Sequence, residues 1–159
     1  MKAFRFIPMK TETAERFRCS GHDDFGNALR RVVAEPHKGF PCRHCLRLAE
    51  PGETMLLGSY VLPQPRRIYW TPSPIFLHAD VCPHFTADDT LAPTVAANPL
   101  VSVRAYDAED FCLYDLGHVC AGAEVEGPLR RALADPRTAF VNIHTGKPGC
   151  WLARVECAA

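Results

Sequence analysis

Within seven residues the chain carries two thiols, an imidazole and a guanidinium, in the stretch Phe40-Pro41-Cys42-Arg43-His44-Cys45-Leu46. Nothing else limits the fold as strongly. Polar and reactive groups placed between Phe40 and Leu46 must find partners on burial, hold a ligand, or pack as small apolar thiols. A second polar cluster, His78-Ala79-Asp80-Val81-Cys82-Pro83-His84, supplies groups that can meet the first in space. Cys42 and Cys45 have the two-residue spacing that lets two sulfurs reach one ion from one turn. His78 and Cys82 complete a tetrahedral set only if the chain turns near Asp80. On a straight strand they would lie roughly 13 Å apart, at about 3.3 Å per residue. The expected metal ligands are therefore Cys42, Cys45, His78 and Cys82, and the expected metal is zinc. The competing reading makes the two thiols small core residues and His78 a hydrogen-bonded core imidazole.

Two further readings use the thiols as reagents. Cys42 and Cys45 can act as a redox dithiol, because Arg43 and His44 between them favour the thiolate. A thioredoxin-like dithiol, however, sits at a helix N-terminus, and Pro51-Gly52 leaves room here for barely one helical turn. At the end of the chain, a loop over residues 145–149 makes His144 and Cys150 facing residues, with Cβ atoms about 5 Å apart. That spacing suits Cys-His chemistry, although no oriented base or oxyanion site is visible. Cys19 and His22 also have metal-like spacing, but a lone pair of this kind is weak evidence.

The chain has 159 residues and zero formal net charge. Residues 1–159 are expected to form a single domain, long enough to bury a core without a metal or disulfide. A neutral chain with no basic run argues against nucleic acid or anionic membrane as the partner. The opening Met1-Lys2-Ala3-Phe4-Arg5-Phe6-Ile7-Pro8 has no apolar core of the signal-peptide kind, and no segment has the apolar length of a membrane span. The expected location is cytoplasmic, where the eight cysteines would be reduced.

Taken in order, residues 3–8 read as a short strand and residues 10–20 as a polar loop. Residues 24–35 fit a helix through Phe25, Ala28, Leu29, Val32 and Val33, with Pro36 as the stop. Gly26 and Asn27 oppose that reading, and Arg31-Val32-Val33 also suits a strand. Residues 54–62 are apolar on both faces and read as a central buried strand. Residues 75–78 read as a short strand running into the second cluster, and residues 86–98 as loop with one helical turn. In residues 100–106, Val101, Val103 and Ala105 alternate with Ser102, Arg104 and Tyr106, a polar face that either lines a cleft or is solvated. Residues 111–121 read as a hairpin about Asp115-Leu116-Gly117, placing Cys112 opposite Cys120 as neighbouring free thiols. A short helix follows at Gly127-Pro128 with Leu129, Ala132 and Leu133 as its buried stripe. Two final strands, residues 138–144 and 150–157, close an antiparallel hairpin. The expected fold is α+β: an antiparallel, bent β-sheet with one or two short helices packed on it.

Several phrases taken together carry a resemblance: Pro41-Cys42-Arg43, Gly52-Glu53, the Leu56-to-Tyr60 strand, Pro74-Ile75-Phe76, Arg104-Ala105-Tyr106 and Gly149-Cys150-Trp151. The chain resembles a bacterial family of uncharacterised proteins, catalogued as a domain of unknown function. Ser73 stands where that pattern more often has glycine. The resemblance implies a compact single domain and supplies no activity or site. The sequence therefore points to a small binding or structural module, zinc-stabilised at the four named residues. The alternative is an enzyme using a cysteine thiol, by dithiol redox at Cys42/Cys45 or Cys-His chemistry at His144/Cys150.

Overall fold

The structure, a computed structural model, describes residues 3–158. Its elements in chain order are β1 (Phe4–Ile7), α1 (Thr11–Ser20), β2 (Arg30–Val33), β3 (Thr54–Tyr60), β4 (Ser73–His78), α2 (Pro93–Ala96), β5 (Val101–Tyr106), β6 (His118–Cys120), α3 (Glu126–Ala134), β7 (Phe140–Thr145) and β8 (Trp151–Cys157). The fold is α+β, as the alternating runs and short helical stripes imply. Its strands divide into two antiparallel sheets, one of five strands in the order β1-β8-β7-β5-β6 and one of three in the order β2-β3-β4.

The period-two pattern of β5 sets the two faces of the larger sheet. Val101, Val103 and Ala105 lie on one face with Val141, Ile143, Ala153 and Val155, and α3 lays Leu129, Ala132 and Leu133 on them. On the other face Trp151 joins a second core with Met55, Leu56, Ile75 and Leu77 of the small sheet and Ala14 and Phe17 of α1. β3 is the central strand of the small sheet, as its apolar run on both faces predicts.

Three local expectations are corrected. Residues 11–20 are helix, not loop: only Ala14 and Phe17 are buried, so the apolar stripe is too narrow to read against Glu12, Glu15, Arg16 and Arg18. The available signal was Gly21, which ends the helix at φ 67° with its N–H on the Phe17 carbonyl. Residues 24–35 are not a helix. Asp23 holds a turn through Gly26 (φ 81°), and β2 pairs with β3 in the register Val32↔Met55.

Residues 111–114 and 118–120 do not pair with each other. Both add in succession to the same edge of β5: Leu113 N–H bonds the Ala105 carbonyl at 2.9 Å, and β6 pairs Val101↔Cys120 and Val103↔His118. A 3-10 turn at Tyr114–Leu116 carries the chain from one stretch to the next. Cys112 thus bridges to Tyr106 rather than Cys120, and both thiols are free. The tight reversal lies earlier, where the Asp107 carboxylate accepts the N–H groups of Glu109 and Phe111. The last hairpin forms as expected, β7 against β8.

Candidate metal centre

The Phe40–Leu46 stretch folds as a compact knuckle. Cys42 N–H bonds the Arg47 carbonyl at 3.0 Å and Ala49 N–H the Phe40 carbonyl at 3.0 Å. Leu46 takes φ 51°, a left-handed turn that brings Arg47 back under Cys42. Arg43 then anchors the knuckle. Its N–H bonds Phe76 of β4 at 3.1 Å, and its carbonyl accepts Met9 N–H at 2.8 Å. Its guanidinium, 2% exposed, donates to the carbonyls of Trp151 and Pro41. Burial pushes its pKa down to about 10, still cationic at neutral pH. One arginine thereby ties β4, β8 and the exit from β1 together around the two cysteines.

His78 is the last residue of β4, and the chain bends at residues 79–80, so Cys82 returns toward it. This is the turn that the sequence spacing demanded. Cys42, Cys45, His78 and Cys82 are all buried, and one ligand atom from each lies within 4.8 Å of every other. Cys42 Sγ is 3.9 Å from Cys82 Sγ, and Cys45 Sγ is 3.5 Å from His78 Nδ1. The group can hold a metal ion.

The surroundings fix each donor. His78 faces the cysteines with Nδ1 and Glu53 with Nε2, at 3.2 Å from Oε2. A carboxylate there fixes the Nε2–H tautomer and leaves the Nδ1 lone pair free for a cation. Glu53 is itself held by a two-pronged pair with Arg47 (2.8 and 2.7 Å) and by Glu50 N–H at 2.7 Å. Those bonds, the Arg47 pair first, bring its carboxyl down to about 2. Cys82 accepts from Arg18 Nη2 at 3.4 Å, while Arg18 Nε bonds the His78 carbonyl at 3.0 Å. His44 lies 3.2 Å from Cys82 Sγ through Nδ1 and 3.0 Å from Thr11 Oγ1 through Nε2. Burial holds the His44 imidazole neutral, so one consistent arrangement has Nδ1–H donating to sulfur and Thr11 O–H donating to Nε2. Arg18 and Thr11 both come from α1, the helix hidden by its polar composition.

The electrostatics favour the thiolate at Cys42 and the thiol at Cys45. Hydrogen bonds from Cys45 and Cys82 hold the Cys42 thiol far below its ordinary range, and the shared bond to Cys42 pushes Cys45 up. Burial works against a charged His78, yet the Cys42 and Cys82 sulfurs overcome it and raise the imidazole to about 10. The Cys42 thiolate and the protonated His78 imidazole thus balance each other, and a bound cation would take the place of the His78 proton.

The other candidates fare differently. His144 and Cys150 are not facing residues. A bulge after Ile143 sets His144 opposite Trp151, and Cys150 pairs with Thr145 instead, by bonds of 2.8 and 2.9 Å. His144 Nδ1 lies 2.9 Å from the Gly149 carbonyl, and Nε2 has no hydrogen-bond partner among the described residues, so neither nitrogen bonds the Cys150 thiol. Cys19 and His22 are exposed, and His22 bonds the Ser20 carbonyl.

No helix among the described residues is long and apolar enough to cross a membrane. A family model described as a protein of unknown function (DUF1203) matches residues 39–157. That span takes in the four clustered residues with Glu53, Arg47 and His44, and excludes α1. No curated protein and no solved structure matches the chain.

Proposed function

Since the chain belongs to the DUF1203 family, whose matched span holds the whole cluster, we propose that it is a small binding module stabilised by zinc on Cys42, Cys45, His78 and Cys82. The observation that carries this reading is the mutual spacing of the donors. Zinc with Zn–S of about 2.3 Å and Zn–N of about 2.0 Å has tetrahedral edges of about 3.8 Å between sulfurs and about 3.5 Å from sulfur to nitrogen. Two of the edges here are 3.9 and 3.5 Å. A three-cysteine, one-histidine set leaves no open position, and all four residues are buried, which is the character of a structural site. Three thiolates around a dication carry one net negative charge, and Arg18 at Cys82 offsets it.

Metal analysis of the purified chain together with thiol counting tests the reading. One zinc per chain is expected, with Cys42, Cys45 and Cys82 protected from a maleimide while exposed Cys19 and Cys157 react at once. Metal-free folded protein with a single fast thiol at Cys42 or Cys45 would overturn it in favour of the dithiol enzyme.

A further inference from the structure

The small sheet meets the larger one through β4 on β8. Tyr69 and Thr71, from the connection between β3 and β4, lie along the polar face of β5. The result is a cleft of about 610 Å³ with Ser102, Arg104 and Tyr106 of β5 along it and Tyr69, Tyr114 and Val119 around it. That size falls in the usual range for small-molecule sites, about 300–1,000 Å³. It shares no lining residue with the cysteine cluster.

Arg104 distinguishes this cleft. It is half-buried between β7 and β6, with Nε 3.4 Å from Ser102 Oγ and the Tyr106 hydroxyl as a second side-chain partner. Among the described residues no carboxylate lies within 4.0 Å of it, whereas Arg5, Arg16, Arg47, Arg130 and Arg137 each pair with one. Among the described residues no Asp or Glu lines the cleft. The neighbouring His144, which pairs with Ser102 across β5 and β7, adds no positive charge. Burial first, then the Arg104 charge, holds it neutral, down to about 4. A half-buried guanidinium with five N–H donors and no acid paired to it among the described residues is a ready fork for a carboxylate. Beside it, the Tyr69 and Tyr114 hydroxyls bond each other at 2.7 Å, and their rings stand 6.1 Å apart, with Tyr106 6.2 Å from Tyr69. Tyr114 is 75% exposed and Val119 58%, large apolar surface left bare where the cleft opens. Flat apolar groups are the natural cover for such a wall.

We propose that this cleft binds a planar organic monocarboxylate, its carboxylate on Arg104 and its flat body against the Tyr69–Tyr114 wall. One guanidinium balances one charge. Among the described residues no second arginine or lysine lines the cleft, and so a doubly charged phosphate is a poorer match.

Amide NMR titration of the full chain with four probes tests this: benzoate, benzamide, acetate and inorganic phosphate. Benzoate is expected to saturate, shifting the amides of Ser102, Arg104, Tyr114 and Val119. Benzamide, the neutral shape, should bind about tenfold more weakly or not at all, and acetate and phosphate should also be weaker. Arg104→Gln should cost benzoate about tenfold or more with the remaining spectrum unchanged, and Tyr114→Ala, at an exposed ring, a smaller several-fold loss. Benzamide matching benzoate, phosphate matching benzoate, shifts mapping elsewhere, or no saturation would each overturn the proposal. The benzamide contrast is read on the unaltered chain, so it decides even if Arg104→Gln fails to fold.

Discussion

Replacing Glu53 with alanine should weaken zinc binding without removing a ligand. Glu53 Oε2 receives His78 Nε2 at 3.2 Å, and Arg47 and Glu50 N–H hold the carboxylate in place. In Glu53→Ala the imidazole keeps its Nδ1 lone pair but loses the partner that orients the ring and raises its basicity. Loss of such a supporting carboxylate typically costs 10–100-fold in metal affinity, about 1.4–2.7 kcal/mol. Arg47 also loses its acid, but half-exposed it returns to water at little cost. Competition against a fluorescent zinc chelator at neutral pH measures the change directly. Glu53→Gln should fall between, because one amide oxygen can still accept from His78 while its NH2 now opposes Arg47. Zinc affinity of Glu53→Ala within twofold of the unaltered chain would refute the reasoning, since His78 would then not depend on Glu53 for its orientation.

Other consequences follow from single residues. Asp23 accepts the backbone N–H groups of Phe25, Asn27 and Ser59, so Asp23→Ala should destabilise by about 1–3 kcal/mol in denaturant titrations. Burial opposes its charge, but the Asn27 side chain and those N–H groups bring its pKa from 3.8 down to about 2. Its folded pKa is depressed, so the contribution is complete above about pH 4 and fades as pH falls toward 2, where the gap between wild type and Asp23→Ala should shrink. Arg43→Leu strips hydrogen bonds from the buried Trp151 and Pro41 carbonyls and should cost about 2–4 kcal/mol by the same measurement. Gly122→Ala would place a Cβ 1.8 Å from the Val95 carbonyl oxygen, backbone that cannot swing aside, and should lower stability by about 3 kcal/mol in thermal melts.

The sequence by itself determined what short-range pattern controls. The alternation of Val101, Val103 and Ala105 made β5, and the apolar run from Thr54 made the central strand β3. The stripe of Leu129, Ala132 and Leu133 made α3. The four clustered residues were legible as one of several readings, since the spacing of Cys42 and Cys45 suits a shared ion, a redox dithiol or small core thiols alike. The bend at residues 79–80, which brings Cys82 back to His78, is what gathers them. Only tertiary structure decided the rest. Residues 30–33 became a strand because β3 offered an open edge, outweighing the helical spacing of Val32 and Val33. The expected hairpin at Asp115 gave way because β5 had an edge long enough to take residues 111–113 and 118–120 in turn. A one-residue bulge after Ile143 separated His144 from Cys150, a register event that spacing along the chain cannot report. The donors that surround Cys82 were equally hidden. Arg18 is 64 residues from Cys82 in the chain, on a helix whose partners are visible only when it packs. Local pattern fixes the elements and the candidate ligands, but a hydrogen bond between distant segments depends on where the whole chain brings their backbones.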